Sequence, residues 1–179
     1  MYHLIEKKAA KILNCECIPK GEYKLMCQQI DALRMCAKNE ITAVAGELSN
    51  EAYGKIFADI ISEKMSGDPK FIVRLLFLKD DESKEKAIEK MWVENKAICT
   101  IFKEGQFESQ FSMYWAERRP KFHYHIIDNN LVLEEVHEHG VPRATLILKD
   151  NTDYVQKYTK RFNITIQNPI IHKLNIKDF

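Results

Sequence analysis

The chain has little net charge, no glycine-rich phosphate loop and no long apolar run, and each shortage removes a class of function. Lysine and arginine number 27 against 26 aspartate and glutamate, a formal balance of +1. No global field therefore draws the protein to nucleic acid or a membrane, and any such binding has to come from a local patch. No stretch approaches the ~20 apolar residues that span a bilayer. Met1 to Lys8 lack the basic start and apolar run of a signal peptide. The five cysteines (Cys15, Cys17, Cys27, Cys36 and Cys99) are odd in number and follow no framework, which suits a reducing compartment. A cytoplasmic location is expected. Gly-x-Gly-x-x-Gly, Gly-x-Ser-x-Gly and His-Glu-x-x-His are all missing, and no cofactor is expected.

What remains is an ordinary globular composition, 45% hydrophobic and 30% charged over 179 residues, enough for one full-sized core. Apolar residues at helical spacing predict helices over residues 2–13 and 23–38, with a loop between them around Pro19 and Gly21. The run Ile41 to Ala45 reads as a buried strand ending at Gly46. An amphipathic helix through Tyr53, Phe57 and Ile61 follows, and Phe71 to Leu78 is the strongest strand signal. Residues 82–94 read as a helix and 97–102 as a third strand. This β-α-β-α-β order predicts a mixed, mostly parallel sheet flanked by helices, antiparallel at one side. The later segments predict strands at 121–127, 131–137 and 144–148, then a helix from Asn151 to Phe162. The expected organisation is a helical extension over residues 1–38 and an α/β domain over 39–179.

Three stretches resemble one half of a phospholipase D-like domain: Ile41 to Ile61, Phe71 to Leu78, and Lys121 to Leu133. In the last, a strand running into Asp128 resembles the region where that family carries His-x-Lys-x4-Asp. At that spacing Lys121 stands in the place of the nucleophilic histidine and His123 in the place of the lysine, while Asp128 matches. Glu135 and Val136 replace the small residues expected about seven positions later. A lysine of ordinary pKa ~10.4 is protonated at neutral pH and is no nucleophile. The resemblance thus implies a degenerate, non-catalytic relative. Since one such region is present, an active form would have to be a homodimer.

Four histidines, His123, His125, His137 and His139, fall close together. Strand alternation puts His123 and His125 on one face, and Glu135 and His137 on one face of the next strand. A two-residue turn sets His125 opposite Glu134; a three-residue turn sets His123 opposite Glu135, near His137. The second register makes His123, His125, Glu135 and His137 candidate metal ligands, against the plainer reading of polar pairs on an exposed sheet face. Arg118, Arg119 and Lys121 lie among Tyr114, Trp115, Phe122 and Tyr124, a patch suited to holding a phosphate and stacking a base. With His123 and Asp128 they are the candidate ligand-binding residues. Three functions follow in order: a non-catalytic module binding a phosphate-bearing ligand, nucleic acid or a protein partner; an interaction subunit docking through its N-terminal helices; and a homodimeric phosphodiesterase or nuclease using His123 or His125.

Overall fold

The computed structural model describes residues 15–19, 23–45, 50–78, 83–117, 123–138, 141–149 and 152–179. In chain order these form β1 (Cys15–Pro19), α1 (Tyr23–Met35), β2 (Glu40–Ala45), α2 (Asn50–Tyr53), α3 (Lys55–Gly67), β3 (Ile72–Leu78), α4 (Lys84–Glu94) and α5 (Lys96–Glu104). Then come β4 (Phe111–Ala116), β5 (His123–Ile127), β6 (Leu131–Glu138), β7 (Val141–Lys149), α6 (Thr152–Thr165), β8 (Ile171–Lys173) and a last 3-10 turn, Ile176–Asp178. The strands make one sheet in the order β1-β7-β6-β5-β2-β3-β4-β8.

The sheet is mixed, as the sequence predicts, with a different balance. Only β2–β3 and β3–β4 are parallel; the other five ladders are antiparallel. Two elements account for the difference. Residues 97–102, expected as the third strand, belong to α5, where Ile98, Cys99 and Phe102 share the buried face. That spacing is helical, and Gly105 ends the helix at φ 70. A Cβ there would also stand 2.9 Å from the Ile176 side chain. The third parallel strand is instead Phe111–Ala116, whose aromatics alternate across the sheet. The segment expected as a loop before α1 holds β1, which pairs along β7 with Pro19 at its end, where an edge strand tolerates proline. The stretch 1–38 is therefore not wholly helical, and the helix expected over 2–13 lies outside the described residues.

Strand alternation sends alternate residues to two cores. Ile41, Val73, Leu75, Phe111, Met113 and Ile127 pack with Phe57, Ile61, Met91 and Ile98 from the crossover helices and with Cys27 and Ile30 of α1. On the other face Val44, Leu76, Tyr124, Ile126 and Val132 pack with Val155, Tyr158 and Phe162 of α6. All the crossover helices cover one face because both parallel connections turn the same way. No helix among the described residues is long and apolar enough to cross a membrane.

Candidate functional site

The carboxyl ends of β2, β3 and β4 make one edge of the sheet, where open α/β sheets present their ligand sites. β5 runs antiparallel to β2, with His125 opposite Ala43 and Tyr124 opposite Val44. Its first residue, His123, therefore stands at that same edge. Arg118, Arg119 and Lys121 belong to the connection between β4 and β5 and lie outside the described residues.

The turn after β5 resolves the register left open by the sequence. Ile127 pairs with Leu131 across three turn residues, so His123 faces Glu135 and His125 faces Leu133. Asp128 and Asn129 both adopt φ 53, a left-handed conformation that these two residue types tolerate better than most. The register is the one that favours a metal cluster, yet the His125 ring is bonded to Tyr53. A bulge between Val136 and His137 also breaks the pattern that would align His137 with Glu135. The side chains of Glu135 and His137 lie outside the described residues. Among those described, no group of three histidine, cysteine or acidic side chains is placed to hold a metal.

His125 is buried to 8% exposure and shares a hydrogen bond through Nε2 with the Tyr53 hydroxyl. Its Nδ1 is buried without a partner. Burial, then the nearby positive charge of Arg34 and of His123, holds its pKa well below the ordinary value of 6.5. The imidazole is therefore neutral across the physiological range, with Nδ1 buried and Nε2 engaged by Tyr53.

Beneath Tyr53 lies a residue that sequence reasoning missed. Arg34 is 0% exposed; its Nη1 donates to Asp31 Oδ1 at 2.9 Å and to the Ala52 carbonyl at 2.5 Å. Its guanidinium sits 4.9 Å from the Tyr53 ring centroid and 4.3 Å from that of Phe57, within cation–π range. The helical period held the signal: Cys27, Ile30, Asp31 and Arg34 fall on one stripe of α1, so the inward stripe carries an ion pair. Tyr53, Arg34 and His125 together tie α1 and α2 to β5 directly below His123.

Asp128, the residue that matches the family motif, is not beside His123. It lies at the far end of β5, roughly 17 Å away at ~3.3 Å per residue. Its carboxylate accepts from the backbone N–H groups of Lys38, Asn39 and Glu40 at 2.7, 2.6 and 3.0 Å. Its own N–H donates to the Glu40 carbonyl. Both oxygens are thus committed to fastening the hairpin turn onto the start of β2.

No family model and no curated protein sequence matches the chain. Solved structures do. A phosphatidylserine synthase from Haemophilus influenzae Rd KW20 superposes with a TM-score of 0.60 at 8% identity over 92% of this chain. NucT from Helicobacter pylori superposes with a TM-score of 0.55 at 9% identity over 86% of this chain. The match spans 41% of the synthase and 95% of NucT. The chain has a phospholipase D-like fold.

Proposed function

We propose that the protein is a non-catalytic phospholipase D-like module that binds a phosphate-bearing ligand at the carboxyl edge of its parallel strands. The observation that carries this reading is the fate of the motif side chains. Asp128 spends its carboxylate on three backbone N–H groups, and the buried, neutral imidazole of His125 is bonded to Tyr53. That leaves His123 as the half-buried imidazole of β5 at the site edge. A lysine in the nucleophile's place is protonated at neutral pH and does not attack phosphorus. Binding without turnover is what such a remnant does.

The phosphate preference rests on Arg118, Arg119 and Lys121, three cations that shortly precede His123 in the chain. It agrees with the name of one structural neighbour, a synthase of a phosphatidyl lipid. The test is retention of a labelled single-stranded oligonucleotide by purified protein across a salt series. Three phosphate contacts predict roughly a 20-fold loss of affinity between 50 and 200 mM salt. Replacing all three cations by alanine should flatten that slope. Salt-independent retention, or a slope untouched by the triple variant, would count against a phosphate site here.

A further inference from the structure

At the other end of the same sheet edge stands a second group of side chains that the motif comparison does not reach. His172 of β8 pairs with Trp115, the penultimate residue of β4. Its imidazole lies over the indole, with centroids 5.4 Å apart and planes 27° from parallel. Nε2 donates to Glu117 Oε1 at 2.9 Å, which fixes the ring's orientation. Trp115 is only 6% exposed, so the indole is a rigid floor, and its N–H is buried with no acceptor. The His172 and Glu117 side chains, by contrast, are 41% and 50% exposed. An imidazole held on both counts and still partly exposed is preorganised for stacking: little side-chain freedom is left to lose when a ring settles on it.

Position adds to this. Glu117 immediately precedes Arg118 and Arg119, so the stack is rooted where the basic segment begins. His123 and His172 are four strand spacings apart in the sheet. At ~4.8 Å each this is roughly 19 Å, too far for one phosphate to meet both. A ligand that touches both has to be a chain.

We propose that His172, laid on Trp115 and held by Glu117, is a stacking subsite for an aromatic base, and that the ligand is a single-stranded oligonucleotide lying along the carboxyl edge. This rests on the phosphate-binding reading above and adds the base to it. Arg118, Arg119 and Lys121 hold the backbone, while His172 takes the flat face of one base.

The experiment compares a ten-residue oligothymidylate with an abasic oligomer of the same length and charge, at one low salt concentration. Wild type should bind the oligothymidylate more tightly. His172→Ala should lose roughly 10-fold on it, the scale of one stacked base, and nothing on the abasic oligomer. His172→Phe keeps a flat ring on Trp115 and should restore the oligothymidylate affinity; thermal melts of both variants show that the fold is intact. Equal losses on both oligomers, or no loss on either, would overturn the subsite while leaving the phosphate reading standing. Failure of wild type to bind either oligomer would overturn both.

Discussion

Asp128→Ala is expected to lower the free energy of unfolding by about 3 kcal/mol, because three N–H groups lose a charged acceptor at once. The N–H groups of Lys38, Asn39 and Glu40 exchange a carboxylate for water, and the turn loses its side-chain tether to β2. Asp128→Asn keeps one carbonyl oxygen and should fall between the two. Urea denaturation measures both. The informative control is oligonucleotide binding at a temperature where the alanine variant is still folded. Unchanged binding is the expected result, because the carboxylate lies at the opposite end of β5 from His123. A variant of wild-type stability that no longer binds would place Asp128 in the ligand site instead.

The second large effect is acid sensitivity centred on His125. An imidazole whose folded pKa is depressed takes up its proton more readily in the unfolded chain. Its contribution is therefore complete above the unfolded value of ~6.5 and is lost progressively as pH falls below it, until the folded pKa is reached. The cause is burial first, then the charges of Arg34 and His123. Among the described residues, Asp31 is engaged by Arg34, and Ala43 and Leu133 are the strand neighbours of His125. As pH falls from 7.5 to 5 the wild type should lose stability through this group. His125→Gln, which keeps a hydrogen-bonding group toward Tyr53, should lose less over the same range. Parallel stability curves for the two proteins would show that this imidazole is not the neutral, buried group described.

These two residues also show what was legible in the sequence. The strands Ile41–Ala45 and Phe71–Leu78 were readable because buried parallel strands are continuous apolar runs, and α6 because Val155, Tyr158 and Phe162 keep helical spacing. Residues 97–102 misled because a short apolar run has no periodicity of its own; only the spacing of Ile98, Cys99 and Phe102 distinguishes helix from strand. The two chain-order alternatives after Asp128 could not be separated, since either turn length is sterically allowed; the choice rests on Asp128 and Asn129 both adopting left-handed backbone. His125 looked like a reactive group because alternation placed it beside His123. Its burial depends on Tyr53 and Arg34, 72 and 91 positions away in the chain, and no local pattern carries that information. His172 escaped notice for the same reason: its partner Trp115 belongs to a strand 57 positions earlier.

The central claim, that this phospholipase D-like unit binds without turning over, is tested most directly by phosphodiester hydrolysis. Purified protein would be incubated with bis(p-nitrophenyl) phosphate and with labelled oligonucleotide, with divalent metal and with chelator, beside His123→Ala. The account predicts release of product no faster than in buffer, from wild type and variant alike, in every condition. Hydrolysis by wild type that disappears in His123→Ala would contradict it and make His123 a catalytic residue.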